Sequence, residues 1–471
     1  MTEDKRLIED FLPIREISKE SAREKSIRQG HISTLHLWWA RRPLVACRAA
    51  VYSSLVPAPK EKNGRGPKSG FIQRLCKYPA DPYAIKDAIK HIYEAHAERL
   101  SKELGKTVTA KDIEEGKAPK PRVLDMFAGG GSIPLEALRL GCDAYAVELN
   151  PVAHIIELAT LVYPQKYGKK LVDEVEKWGK WVVERTKEEV GDLYKSIPDP
   201  KGYGNLTPVA YLWTRTVKCK NPACGAVVPL VRQTWLCKKK EKYIALKVSP
   251  DDQTKRPKFT VVQSFAKTEK EAIEKFGFDP GKFSRGGNAP CIFCGAVATS
   301  DYVKKEGQAK RIDKQLMAVV CTRKGQRGKV YLSTDEIPED LIPDEKEIWK
   351  RIERLCNETG LTIPDEDMDT NDPTTVAGRG FGISKWYELF TPLQLLALLT
   401  FTKWVRRAYE EMRKEGHEEG LTKGIATHLA LLSSKMSDYL GSFCQWLVQT
   451  EAVAHIFARQ ALPMLWDFAE L

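Results

Sequence analysis

The stretch from Pro121 to Asn150 constrains this 471-residue chain more than any other. Val123 to Met126 is apolar and β-prone, with Asp125 near the carboxyl end of the expected strand. Three consecutive glycines, Gly129, Gly130 and Gly131, follow at once. Glycine adopts backbone angles closed to other residues and lets a ligand approach the main chain closely. Helical spacing then runs through Ile133, Leu135, Leu138 and Leu140, with Pro134 in the first turn and Gly141 as a stop. A second strand, Ala144 to Glu148, ends in an acid 23 residues after Asp125 and leads into Asn150-Pro151. The segment predicts a β-α-β unit. An acid at the end of its second strand is placed to bind ribose hydroxyls, so the expected ligand is a nucleoside cofactor over the glycine turn. A dinucleotide fingerprint needs Gly-x-Gly-x-x-Gly. Counted from Gly129, the third glycine position is Pro134, and the fit is poor.

The form Asp125-Met-Phe127-Ala128-Gly129-Gly130-Gly131-Ser132 instead resembles the cofactor motif of S-adenosylmethionine-dependent DNA amino-methyltransferases. That resemblance implies a turn from Phe127 to Gly131, Ala128 included, against the methionine part of the cofactor. Asp125 would help hold the amino group and Glu148 the ribose, with Asn150 beside it. The bland reading is a glycine turn in an ordinary α/β domain, binding nothing.

A net charge of +12 favours an anionic partner, and nucleic acid is the usual one because phosphate contacts supply sequence-independent affinity. A lysine-rich solvated surface gives the same balance. The amino terminus is charged and lacks an apolar signal core, and the longest apolar run, Leu393 to Phe401, is too short to span a bilayer. A cytoplasmic protein without a membrane partner is expected. Its eleven cysteines then read as thiols and metal ligands rather than disulfides.

Residues 1–58 predict a helical segment containing His31-Ile-Ser-Thr-Leu-His-Leu-Trp38-Trp39-Ala-Arg41-Arg42-Pro43. Two tryptophans beside two arginines suit base stacking and phosphate contact. Equally, the tryptophans could be core and the arginines surface. The stretch Glu24 to Pro43 resembles the N-terminal Glu-Lys-x-Ile-Arg-x-Gly-His-x-Ser-x-Leu-His-x-Trp-Trp-Ala-Arg-Arg-Pro pattern of one family. These are zinc-ribbon-containing, adenine-specific DNA methyltransferases of anti-phage loci, and the resemblance extends along most of the chain. Asp81-Pro82-Tyr83 lacks one proline of the Asp-Pro-Pro-Tyr catalytic loop and reads as a helix-capping turn. A helix opens at Asn150 and runs through Leu161. A longer one is expected at about 169–197, with Trp178 and Trp181 as packing residues.

Between about 206 and 325 the chain turns strand-like, at 209–213, 227–231, 243–248 and 259–262. Here lie Cys219-Lys-Asn-Pro-Ala-Cys224-Gly225 and Cys291-Ile-Phe-Cys294-Gly295. Each knuckle points two thiolates at one ion, and the glycine permits the tight turn. Four thiolates close a tetrahedral shell with no place for water, so a structural zinc is expected. Cys237 and Cys321 are spare candidates, and Lys238 to Lys240 is a candidate DNA contact. In the family a zinc ribbon occupies this place.

Amino-methylation also requires a flipped base whose amine is aimed at the sulfonium methyl. Family members use Asn/Asp/Ser-Pro-Pro-Tyr/Phe after the fourth strand, downstream of a Trp-Asp-Phe-Ala-Glu block that here ends at Glu470. No such tetrapeptide occurs in this sequence, so no catalytic residue is assigned. Two strands of a doubly wound sheet are evident and their flanking strands are not.

The expected fold is α/β. A partial Rossmann-like methyltransferase sheet is joined to a helical N-terminal segment, an inserted zinc ribbon and a helical C-terminal segment. The expected divisions are a helical domain at 1–58, linker and helices at 59–118 and the cofactor-binding unit at 119–205. An elaborated ribbon at 206–325, a linker at 326–380 and a helical segment at 381–471 complete them. The expected activity is the cofactor-binding part of a DNA adenine methyltransferase, split or truncated and inactive alone. Its expected partners are double-stranded DNA and a second polypeptide bearing the Asp-Pro-Pro-Tyr half. A non-catalytic zinc-ribbon nucleic-acid-binding protein and an RNA methyltransferase are the alternatives.

Overall fold

The computed structural model describes residues 5–27, 29–59, 65–284, 288–369, 380–458 and 461–471. Arg28 of the Glu24–Pro43 stretch, the first two residues of the block at 459–470 and residues 370–379 of the expected linker lie outside them. Helices and strands are mixed throughout, and the chain divides into two compact units. One comprises Met1–Trp178 with Glu411–Leu432, the other Gly179–Glu410 with Ser433–Leu471.

In the first unit the β-α-β segment forms as expected. Strand Arg122–Asp125 pairs in parallel with Asp143–Ala146, Arg122 opposite Asp143 and Asp125 opposite Ala146. Helix Ser132–Arg139 connects them. Among the described residues this sheet has two strands. One face, with Val123 and Ala144, packs on a core shared with Val45, Tyr52, Ile92, Ile113, Ala137 and Leu140. The segments expected as separate pieces at 1–58 and 59–118 therefore share one core with the β-α-β unit. The other face exposes Leu124, Met126, Tyr145 and Val147.

A buried ion pair locks this packing. Arg48 Nε donates to Glu136 Oε2 at 2.6 Å, and Arg48 Nη1 donates to the carbonyls of Leu75 and Lys77. Both charged side chains are fully buried, so each depends on the other for compensation. Helix Leu44–Leu55 has no cap of its own at Pro43. Glu24 supplies one from the preceding helix, accepting from the Leu44 and Val45 N–H groups at 2.8 and 3.0 Å. Asp81 caps Pro82–Leu104 by accepting from the Tyr83 N–H, as the sequence predicts.

In the second unit, strand Asn205–Lys218 lies between Asp313–Arg323 and Asp467–Glu470, antiparallel to both. Val330–Ser333 extends the sheet beyond Asp313–Arg323. A second sheet is the meander Trp235–Lys239, Lys242–Asp251 and Arg256–Ser264. Three of the four strand-like runs of the sequence lie within strands, and of 227–231 the first three residues form strand Val227–Pro229. Three expected boundaries are corrected. The region at 206–325 is not self-contained, because its sheet takes strands from 330–333 and 467–470. The linker at 326–380 holds a strand and helix Glu345–Thr359, whose Ile348, Ile352 and Leu355 pack on Leu393, Leu396 and Leu399. The segment at 381–471 begins with helices Pro392–Lys414 and Glu419–Ser437 and ends in strands. The final strand is too short for alternation to reveal it. Phe468 and Ala469 are both buried, which conceals the period of two.

The expected packing role of the tryptophans holds. Trp178 meets His417 edge to face in the first unit, and Trp181 meets Trp404 in the second.

Candidate functional site

The glycine turn lies between the carboxyl ends of the two parallel strands. Gly129 and Gly131 have φ of +54° and +75°, angles that side-chain-bearing residues rarely adopt. The Ala128 N–H donates to the Val147 carbonyl, which carries the pairing past the strand ends. Asp125 Oδ1 accepts from the Phe127 N–H at 3.1 Å, while the Phe127 ring is 87% exposed.

Glu148 closes the turn from the second strand. Its Oε2 accepts from the Gly129 N–H at 2.7 Å, and its Oε1 accepts from the N–H groups of Leu149 and Asn150 at 2.9 and 3.1 Å. These main-chain donors, that of Asn150 foremost, hold the carboxyl below its usual range. Asn150 Oδ1 in turn accepts from Val152 and caps helix Pro151–Glu157. Residues 125, 127–131, 148 and 150 thus come together at one place.

Two residues at this turn were not assigned from the sequence. Trp38 lies against it. A Cβ built on Gly129 would sit 2.6 Å from Trp38 Nε1, and one on Gly130 would sit 3.5 Å from the same ring. Trp38 Nε1 is buried with no hydrogen-bond partner among the described residues. The cluster at 38–42 therefore splits: Trp38 packs on the turn and on Ile156 and Ala159, while Trp39 and Arg42 face outward. Arg41 turns towards His31, which bonds Glu24 at 2.8 Å.

The other residue is Glu157, buried to 5% exposure. Its Cγ would lie 3.4 Å from a Cβ on Gly131, and its Oε1 has no partner among the described residues. Burial, then the charges of Glu148 and Asp125, push its carboxyl up to about 7. A signal existed in the sequence. Glu157 is a lone acid four residues from Ala153 and four from Leu161, both buried positions of an otherwise apolar stretch.

The second unit holds the cysteine cluster. The sulfurs of Cys219, Cys224, Cys291 and Cys294 all lie within 4.8 Å of one another. Cys219 is 3.6 Å from Cys294, and Cys224 is 3.8 Å from Cys291. A tetrahedron of metal–sulfur bonds of ~2.3 Å has edges of ~3.8 Å. The four thiols can therefore hold one metal ion. Gly225 and Gly295 follow the knuckles with φ of +63° and +74°. Each knuckle is closed by a main-chain bond, from Cys219 N–H to Ala226 and from Cys291 N–H to Ala296. The spare candidates are elsewhere: Cys237 and Cys321 are buried in the sheets, and burial pushes their thiols up to about 11 and about 12.

The candidate DNA-contact lysines are mostly spoken for. Lys238 pairs with Glu269 at 2.6 Å and Lys239 with Glu451 at 2.5 Å, which leaves Lys240 exposed. Among the described residues, no helix is long and apolar enough to cross a membrane.

Residues 11–72 match a family model described as a protein of unknown function, DUF1156. No curated protein and no solved structure matches the chain. The matched stretch contains Glu24, His31, Trp38, Arg41 and Arg48, the residues that build the N-terminal helices against the glycine turn and its helix.

Proposed function

We propose that this chain is the cofactor-binding part of an S-adenosylmethionine-dependent DNA adenine methyltransferase, with a zinc ribbon and a partner polypeptide that brings the catalytic loop. The observation that carries the reading is the closure of Glu148 onto Gly129 at the ends of two parallel strands. That places an acid, a glycine turn and a helix amino terminus around one point, the arrangement a nucleoside needs. When bound, the cofactor supplies a methyl group on a positively charged sulfur.

The chain's own residues bind and orient it. Phe127 presents an exposed ring beside the turn. Asp125 keeps one carboxylate oxygen free of the Phe127 bond for an ammonium group. Glu148 has three of its roughly four acceptor sites taken by main-chain N–H groups, which leaves one on Oε2 for a ribose hydroxyl. The zinc would be held by Cys219, Cys224, Cys291 and Cys294 and would brace the second unit.

The partner is supported by the open sheet. Leu124, Met126, Tyr145 and Val147 are exposed on one face, and each strand has one edge unpaired among the described residues. Apolar faces and open edges of this kind mark association surfaces. In this reading the missing strands of the doubly wound sheet cover them.

One observation favours a second reading, a non-catalytic zinc-ribbon nucleic-acid-binding protein. The space that glycine opens at position 129 is used by Trp38, so packing alone accounts for that glycine. Labelled methyl transfer separates the two. With double-stranded DNA, transfer is expected only when this chain and the neighbouring gene's product are both present. Efficient transfer by this chain alone would overturn the need for a partner. Absence of cofactor binding to the folded chain would leave the second reading.

A further inference from the structure

We propose that Glu157 is a specificity-determining residue of the glycine-turn site, whose carboxylate selects a positively charged sulfonium nucleoside over the neutral thioether that remains once its methyl group has left. The proposal rests on the cofactor reading above and names the group that senses the ligand's charge.

Glu157 is more than nine-tenths buried, with Oε1 unpartnered, and its side chain abuts Gly131. At the other end of the same turn, the Trp38 indole N–H is also buried and unpartnered. Buried polar atoms are almost always hydrogen-bonded, and an exception in a folded protein calls for an explanation. Here a donor and an acceptor are both orphaned against the same three glycines. A ligand carrying its own polar groups and charge would satisfy both.

The three carboxylates at the turn differ in how far their charge is compensated. Glu148 accepts three main-chain N–H groups, and Asp125 accepts one from Phe127. Glu157 has only His154, whose Nδ1 lies 3.9 Å from Oε2. Above pH 7, where its carboxyl is ionised, it therefore carries the least compensated negative charge at the site. A fixed positive charge on a ligand gains directly from that, and a neutral thioether gains nothing. The local backbone is unusual as well. Glu157 leads straight into a π-helical segment, Leu158–Val162, and such wide turns occur at functional sites.

The test is calorimetric titration of the full chain at pH 8 with S-adenosylmethionine and, separately, with S-adenosylhomocysteine. It compares the wild type, Glu157→Gln and Glu157→Asp, each checked by a thermal melt. The wild type is expected to bind the sulfonium compound at least roughly tenfold more tightly. Glu157→Gln should bring the two affinities within about twofold, mainly by weakening the sulfonium compound, and Glu157→Asp should keep the preference. The Gln variant removes an uncompensated buried charge without changing shape, so its melting temperature should not fall. A structural role would instead lower the melting temperature and weaken both ligands alike. Two nucleosides bound with the wild-type ratio by Glu157→Gln would overturn the assignment of Glu157 and leave the cofactor reading intact. If that variant does not fold, Glu157→Met, also neutral and of similar volume, takes its place, and the wild-type ratio kept by it would overturn the assignment in the same way. Failure of the folded wild type to bind either nucleoside would overturn both.

Discussion

Glu157 links stability to pH in a way that can be measured without any ligand. Its carboxyl is raised to about 7 in the folded chain, above the usual carboxylate value, by burial and then by Glu148 and Asp125. A raised carboxyl contributes stability at low pH, and the contribution is lost as pH rises through about 7. Glu157→Gln should therefore be more stable than the wild type at pH 8, by about 1–2 kcal/mol once solvent screening is allowed for. The two proteins should converge near pH 4, below the unfolded carboxyl's value, and urea denaturation at both pH values measures the difference. Gly129 shows the opposite sensitivity. A methyl there would meet Trp38 Nε1 at 2.6 Å on a backbone with φ of +54°. Gly129→Ala should cost about 2–4 kcal/mol, from strain and overpacking together, and the same denaturation assay reads it. Measured in a Trp38→Ala background, the cost of Gly129→Ala should be smaller, because the clashing ring is gone.

Two groups of elements in the second unit are tied, one by charge and the other by four cysteines that can hold a metal ion. Glu451 accepts from Lys242 at 2.7 Å and from the Tyr331 hydroxyl at 2.8 Å, and it also pairs with Lys239. Burial alone would raise its carboxyl. These three donors override burial and hold it at about 2. A depressed carboxyl contributes stability at neutral pH that is lost as pH falls from its unfolded value towards about 2. The wild type should lose about 1–2 kcal/mol more than Glu451→Gln between pH 5 and pH 2.5. Tryptophan fluorescence can follow this, since Trp446 packs on Tyr331 edge to face. The knuckles join the end of strand Asn205–Lys218 to the Ala289–Pro290 hairpin. Elemental analysis should find one zinc per chain. Cys219→Ser or Cys291→Ser should abolish it and Cys237→Ser should not. Zinc bound by four thiolates contributes on the order of 10 kcal/mol to folding, so strong chelation should melt the knuckle region first.

For the whole molecule, the decisive surface is the uncovered face of the two-stranded sheet. Leu124 and Val147 are exposed there, so a charge at either position should leave folding almost unchanged, within about 0.5 kcal/mol. If a second polypeptide completes the sheet, Leu124→Lys with Val147→Lys should abolish its co-purification with this chain. Undiminished co-purification would place the partner elsewhere. The lysine run at 238–240 offers less free charge to a proposed DNA partner than the sequence implies, because Lys238 and Lys239 pair with acids of their own unit. Substituting them should lower stability before it lowers affinity for DNA.

Local signals in the sequence determined the parallel β-α-β unit, its glycine turn and the two knuckles. Their backbone requirements fall within a few neighbouring residues: positive φ at Gly129 and Gly131, an acid at 148, and glycine after each cysteine pair. Even the meeting of the two knuckles follows from chemistry, since four thiols at these spacings can share one ion. The tertiary structure decided what covers the turn and what completes the second sheet. Trp38 reaches Gly129 from far along the chain, Arg48 pairs with Glu136 across most of the first unit, and Asp467–Glu470 joins a strand begun at Asn205. Such contacts depend on how helices and strands pack. Packing is set by the shape and burial of distant surfaces, and no local periodicity records it.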